Sequence, residues 1–399
     1  MQVREARSLF PGLLGRVFLD SGAVGLMPES AVRAVKELID FASGMQGPDT
    51  RSVYAEMGRR RREAVSSIAQ LIGASPDEIA LVESTTHGLN LAAASIPIRR
   101  GESVIVPDTE FPQVAVPWAK LAEERGTRVK FVKSRNGRFT AEDMEAEMDR
   151  RTRVVCLSSV QWSSGFRVDL GAIGKLCRSK GIYLVVDAIQ HVGAAGLDVR
   201  KTPVDFIACG GHKWLNAPMG CGFLYVRKAL VGSLRPPSYG YQSLREPHGG
   251  WGRYWRTPSI TPDRTYRFPA RARKWEVGGT ANFPGAVALR TSVDLVNELG
   301  IEQVEAHIQS LVDRLLQGLD TIGAQIVSPV ERRERAGIVS FRMYREPRRD
   351  WELVQNLLAR KIVVSMRYTS RVGGIRGSVH YFNNEQDIDT LLDALRELR

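Results

Sequence analysis

The stretch from Val185 to Met219 reads VVDAIQHVGAAGLDVRKTPVDFIACGGHKWLNAPM. It is led in by Ile182-Tyr183-Leu184, so an apolar, β-branched and aromatic run arrives at Asp187. That composition predicts a strand buried on both faces, with the carboxylate at its C-terminal end. A second short run, Val204 to Ala208, ends on Cys209-Gly210-Gly211 and hands over to His212-Lys213-Trp214. Open α/β sheets bind their ligands at the carboxyl ends of parallel strands. An acid at one such end and a lysine just past the next is therefore an informative pair. Outward from it, strand and helix patterns alternate from about 78 to 226. Strands are expected at 78–83, 103–107, 129–132 and 154–159, with helices between them. The alternation predicts an α/β fold with a mostly parallel, doubly wound sheet.

Bulk properties narrow the classes. At 399 residues, 43% hydrophobic and 25% charged, the chain has the composition of an ordinary globular protein of two domains. It has no apolar stretch of about 18 residues, so no membrane span is expected. The start, MQVREARSLFPG, lacks the apolar core of a secretory signal. Cys156, Cys177, Cys209 and Cys221 show no CxxC spacing, which suits free thiols in a reducing cytoplasm. The net charge of +12 is spread through the chain without a reading module, so nucleic acid is not an expected partner. The run Arg59-Arg60-Arg61-Arg62 reads as a solvated helix face.

A lysine amine can form a Schiff base with an aldehyde cofactor, and an acid can keep a pyridine nitrogen protonated. Pyridoxal 5'-phosphate (PLP) needs both. Asp187-x-x-Gln190 followed by Gly211-His212-Lys213 resembles the cofactor core of the fold-type I, class V aminotransferase family, which includes cysteine desulfurases, selenocysteine lyase and isopenicillin N epimerase-like enzymes. The resemblance spans nearly the whole chain. Val17-Phe18-Leu19-Asp20-Ser21-Gly22-Ala23 resembles the family's Y-L-D-x-A-A segment across the active-site mouth, which places Ala23 beside the substrate. Ser84-Thr85-Thr86, at a helix start after a strand, resembles the phosphate-cradling turn; free N–H groups at a helix N-terminus suit a phosphate. Gln161 and Trp162 lie in a segment that resembles the one near the ring oxygen and the substrate. Gln190 is implied as a ring-oxygen partner and His212 as a phosphate neighbour. Trp275-Glu276-Val277-Gly278-Gly279-Thr280 resembles the F-E-x-G-T stretch, whose threonine reaches the phosphate of the other subunit; that implies a homodimer with shared sites and points to Thr280. Arg376, in a segment resembling V-R-x-S-x-x-x-Y-N, is implied as the clamp for a substrate carboxylate.

Two departures matter. Phe111 stands where desulfurases carry a histidine over the ring; it can stack there and cannot carry protons. Gly210 stands where they commonly carry a serine. No cysteine follows Cys221, so a persulfide-forming desulfurase is disfavoured. The favoured reading is a lyase on an amino-acid substrate, cleaving by β-elimination or at a C–S bond without a protein thiol. A class V aminotransferase, an epimerase, or an inactive basic scaffold of the same fold are the alternatives. The expected organisation is an N-terminal segment (1–25), a large PLP-binding domain (26–284) and a smaller C-terminal α+β domain (285–399). Within the large domain, 235–275 is rich in Pro, Gly, Arg, Trp and Tyr. An insert of that length and aromatic content is expected to be a lid rather than disordered.

Overall fold

The computed structural model describes every residue except Met1, Met45, Pro48, Val277, Thr280 and Arg399. Thirteen strands are formed among the described residues: β1 (Val17–Phe18), β2 (Ile79–Val82), β3 (Ser103–Pro107), β4 (Arg128–Val132), β5 (Thr152–Ser158), β6 (Tyr183–Asp187), β7 (Phe206–Gly210), β8 (Gly222–Val226), β9 (Gln325–Ile326), β10 (Ile338–Arg342), β11 (Ile362–Val363), β12 (Ser365–Thr369) and β13 (Val372–Ser378). A seven-stranded sheet runs in the order β2-β8-β7-β6-β5-β3-β4. Only β8 is antiparallel to its neighbours β2 and β7. β3, β7 and β8 are buried at every position, as strands covered by helices on both faces must be.

Helices α1 (Glu29–Ser43) and α2 (Thr50–Ile72) precede the sheet, and α3 (Thr85–Ser95) and α4 (Pro112–Arg125) follow β2 and β3. Asp49 caps α2 by accepting from Ser52 N–H at 3.0 Å. The helix ends at Gly73, whose φ of +68° is the left-handed cap that glycine takes without strain. The helix Phe283–Leu299 packs on both α1 and α2. A four-stranded antiparallel sheet, β12-β13-β10-β9, forms the smaller C-terminal unit. β1 joins that unit through parallel pairing with β11. The chain between β1 and α1 then crosses to the large sheet, where Gly25 N–H donates to the carbonyl of His212 at 2.7 Å. A Cβ at Gly25 would lie 2.0 Å from the Lys213 carbonyl oxygen, so this crossing requires glycine.

Two local expectations are corrected. The apolar composition of Val379 to Phe382 predicts a strand there, yet β13 stops at Ser378. The Asn383 side chain takes the His380 N–H at 2.8 Å and closes a turn there. The arginine run is only partly solvated. Arg59 pairs with Glu56 and Glu63 on the surface, whereas Arg61 is 11% exposed and forks onto Glu276. Glu276 also accepts Leu81 N–H at 3.0 Å, so it ties α2 to β2. No described helix is long and apolar enough to cross a membrane.

Candidate active site

Four strand ends meet at one edge of the large sheet. β6 ends on Asp187 and β5 on Ser158, and these two residues are register partners. β7 ends on Gly210, and β2 leads into Ser84 and α3. Sheet topology thus brings Asp187, Lys213 and the start of α3 together, although α3 begins at Thr85, far ahead of Lys213 in sequence.

Asp187 is 5% exposed; its carboxylate accepts one hydrogen bond, from Ile189 N–H at 2.9 Å, and is in no ion pair among the described residues. Burial pushes its carboxyl up to about 6, against the pull of the Ile189 N–H and of the Lys213 charge. Lys213 is held down to about 8, first by burial and then by Arg376 and Arg367, with Asp187 opposing. A lysine in this state carries an appreciable fraction of neutral, nucleophilic amine near neutral pH.

The loop that carries Lys213 is fixed on every side. Trp214 is fully buried; its indole N–H donates to Gln190 Oε1 at 2.8 Å, and its carbonyl faces His380 Nε2 at 3.2 Å. His380 Nδ1 accepts Tyr381 N–H at 2.8 Å, so Nε2 carries the hydrogen and the ring is neutral. His380 stacks on Trp214 with centroids 5.2 Å apart. Gln190 therefore has its carbonyl engaged by Trp214, and its Nε2 donates to the Gly22 carbonyl at 2.9 Å. One Nε2 hydrogen is left for a ligand.

At α3, Ser84 Oγ caps His87 N–H at 3.1 Å and Asn90 Nδ2 donates to the Thr86 carbonyl at 2.8 Å. Thr85 is buried and its Oγ1 accepts Gly210 N–H at 2.8 Å, while Thr86 is exposed. A Cβ at Gly210 would lie 3.2 Å from each of Thr85 Oγ1, His212 Nδ1 and Ile189 Cδ1. A side chain at Gly210 would thus press on Thr85, His212 and Ile189.

Arg376 is 1% exposed. Its Nη2 reaches Asp20 Oδ1 and its Nη1 the Trp162 carbonyl, each at 3.0 Å, while Nε is buried with no partner. Gly22 lies against this guanidinium, since a Cβ there would be 3.2 Å from Arg376 Cζ. Ala23 closes the turn beside it through its N–H to the Asp20 carbonyl at 2.9 Å. Phe111 is 47% exposed, which removes it from the core, and it meets Trp162 edge-on at 5.3 Å. Thr280 lies outside the described residues.

Two residues make contacts that the sequence did not point to. Arg367 on β12 adds its charge to that of Arg376 at Lys213. Glu110, 7% exposed, accepts Ser158 N–H at 2.8 Å and Gln161 Nε2 at 2.7 Å, and it bonds Ser158 Oγ as well. With Nε2 committed to a carboxylate, Gln161 Oε1 is left buried and unpartnered.

Burial, joined by the charge of Asp187, pushes the Glu110 carboxyl up to about 7 against its three donors. A folded-state value above the unfolded one means that stability from this group is present at low pH and lost as pH rises through about 7. In Glu110→Gln, Oε1 can keep the Ser158 N–H and Gln161 donors, Nε2 donates to Ser158 Oγ with that bond reversed, and the charge is removed. It is expected to stabilise the apoprotein at pH 8 by on the order of 2 kcal/mol, and by much less at pH 5. Urea melts at the two pH values check this; a variant less stable than wild type at pH 8 would contradict it.

An α/β sheet with a buried acid at one strand end, a buried lysine past the next and a helix N-terminus beside both is the arrangement of fold-type I PLP enzymes. The sequence profile described as Aminotransferase class-V matches residues 17–391, and the chain belongs to that family. It is 29% identical to a probable cysteine desulfurase of Methanothermobacter thermautotrophicus, covering 100% of this chain and 98% of the relative. It is 28% identical to an isopenicillin N epimerase of Streptomyces clavuligerus, covering 96% and 94%. Its fold matches a cystine C–S lyase, C-DES, solved with its product cysteine persulfide (TM-score 0.86, 22% identity, 97% of this chain and 98% of that one). It also matches a cysteine desulfurase of Thermococcus onnurineus (TM-score 0.84, 23% identity, 99% and 97%). The protein is thus a PLP-dependent enzyme of the class V aminotransferase family. The site's own chemistry fits the cofactor. Asp187 is a buried acid in no ion pair among the described residues, Gln161 Oε1 is an orphan acceptor, and Lys213 is a buried amine with lowered proton affinity.

Proposed function

We propose that the chain is a PLP-dependent lyase that eliminates a β-substituent, sulfur foremost, from an amino acid, with no protein thiol taking part. The observation that carries this is where the cysteines are. All four are buried in the large-domain part of the chain, and burial pushes the thiols of Cys156 and Cys209 well above the ordinary range. None can serve as an accessible sulfur acceptor. The segment Ser365 to Arg376 presents arginines instead.

The residues take the following parts. Asp187 would hold the pyridine nitrogen protonated, and the N-terminus of α3, through Ser84, Thr85 and Thr86, would take the phosphate with His212 nearby. Gln190 and Gln161 would meet the ring's polar substituent, and Phe111 would cover the ring. Bound through its aldehyde to an amine, the cofactor accepts the electron pair left when a bond at the substrate's α-carbon breaks. Arg376, already oriented by Asp20 and Trp162, would take the substrate carboxylate through its open Nε–H, with Ala23 and Trp162 as walls. The Lys213 amine would remove the α-proton and hold it; the β-substituent leaves with its bonding pair, and Lys213 can return the proton to the departing group. Phe111 has no proton to give, which favours a reaction run from the Lys213 side over an epimerisation that needs acid and base on opposite faces. The homodimer that the family resemblance implies would complete the site with Thr280 from the second copy.

The test is product analysis with the holoenzyme and L-cystine, L-cysteine and L-alanine. Pyruvate and ammonia formed in equal amounts from a sulfur amino acid support elimination. Alanine accumulating from cysteine would instead make it a desulfurase. A D-amino acid, or a new amino acid that appears only with an added keto acid, would overturn the lyase reading in favour of epimerase or aminotransferase.

A further inference from the structure

A second cavity, of about 690 Å³, lies between α2 and the insert. Its wall on the insert side is aromatic. Trp251 and Trp255 stack with centroids 5.4 Å apart and planes 20° from parallel, and Tyr241 stands edge-on to both at 5.5 and 5.9 Å. Trp255 is nevertheless 54% exposed in the single chain, so within one copy the stack faces the cavity rather than the core. On the facing wall, Ala55 and Gly58 leave a shallow floor along α2. The rim is cationic. Arg61 is taken by Glu276, while Arg62 and Arg273, both lining the cavity, are in no ion pair among the described residues.

Guanidinium groups crowded at one rim repel each other. Arg273 shows it: its proton affinity is lowered by burial and then by Arg61, with Glu276 and Glu246 opposing and Arg62 adding to the fall. An anion between Arg62 and Arg273 would relieve that repulsion and gain charge-assisted bonds. A planar ring attached to it would lie on the tryptophan stack, where flat π-surfaces and guanidinium edges both bind well.

We propose that this cavity is a binding site for an anion that carries a planar ring, that is, an aryl or heteroaryl carboxylate or phosphate. The inference concerns binding alone and stands whichever bond the enzyme breaks. Such a ligand could be the far end of a ring-bearing substrate or a separate effector, and kinetics distinguish the two.

The test titrates the holoenzyme with phenylacetate while following tryptophan fluorescence, with benzyl alcohol and butyrate as the uncharged and ringless controls. Saturable quenching by phenylacetate, at least about tenfold tighter than either control, is expected. Arg62→Gln combined with Arg273→Gln should weaken phenylacetate at least about tenfold and leave the melting temperature in place, because neither side chain is in an ion pair among the described residues. Trp255→Leu should weaken it as well. Competitive inhibition of turnover by phenylacetate assigns the site to substrate, and noncompetitive inhibition to an effector. Absence of saturation, or equal binding by the double arginine variant, would overturn the proposal. So would a double variant that changes only the oligomeric state in analytical ultracentrifugation, since the rim would then face a second copy of the chain. A failed lyase assay with intact phenylacetate binding would remove the proposed reaction and leave this site standing.

Discussion

Lys213→Ala is expected to abolish the visible absorption of the purified protein and to lower turnover by roughly 10²–10⁴-fold. Both losses would come from one amine, proposed above as the attachment point for the cofactor aldehyde and as the base for the α-proton. Unfolding is not the expected cause, because removing a buried amine relieves a desolvation cost, and Trp214 keeps its bonds to Gln190 and His380. Melting temperatures of the two proteins should therefore be close. A second arm uses pH. With Lys213 held down to about 8, the neutral amine dominates above that value and declines below it. Cofactor capture by the wild-type apoprotein should rise with pH and level off above about 8, falling about tenfold per unit on the acid side. An ordinary surface lysine would keep rising to about 10.4. A Lys213→Ala protein that keeps both its colour and its turnover would move the attachment elsewhere.

Much of this site could be read from the chain because β-branched runs and strand ends are local signals. Asp187 and Lys213 needed only the rule that parallel strands present ligands at their carboxyl ends, and the register of β6 with β7 brings those ends side by side. Direction was harder. β8, GFLYV, is as uniformly apolar as its parallel neighbours, and nothing in an all-buried run encodes which way it points. The segment Val379-His380-Tyr381-Phe382 mimics a strand by composition. Its rings instead pack as a block, with His380 against Phe382 at 4.5 Å and 3° from parallel. Long-range pairings were out of reach altogether. Arg61 lies in a run of four arginines, and only the fold shows that it alone turns inward to meet Glu276, 215 positions away. Glu110 is silent for the same reason, since its partners Ser158 and Gln161 sit two strand connections later in the chain. Gln190 shows a subtler limit. Its motif pointed to the ring, and the structure shows the same amide also joining the N-terminal crossing to Trp214.

Asp187→Asn is expected to lower turnover by about 10²–10³-fold, the size of effect seen when one preorganised electrostatic partner of a developing charge is removed. An amide in that place can still accept the Ile189 N–H, and it has no negative charge to hold a proton on the pyridine nitrogen. The ring would then be a poorer electron acceptor while Lys213 and Arg376 stayed in place. Cofactor should remain attached, so colour persists while turnover falls, the reverse of the pattern for Lys213→Ala. Stability should not fall either. A carboxyl pushed up to about 6 by burial is one whose ionised form costs the fold free energy at pH 7, and the neutral amide avoids that cost. The same shift sets a pH signature. Above about 6 the wild-type carboxylate is ionised and favours a protonated ring nitrogen; below it the acid takes up a proton and that attraction is lost. Cofactor affinity of the wild-type apoprotein should weaken as pH falls through about 6, and that of the asparagine variant should be flat across this step. Equilibrium dialysis of both proteins between pH 5 and pH 8 reads this directly. Parallel curves would mean that Asp187 does not face the ring nitrogen, and the electron sink would then have to be sustained by another group at this strand edge.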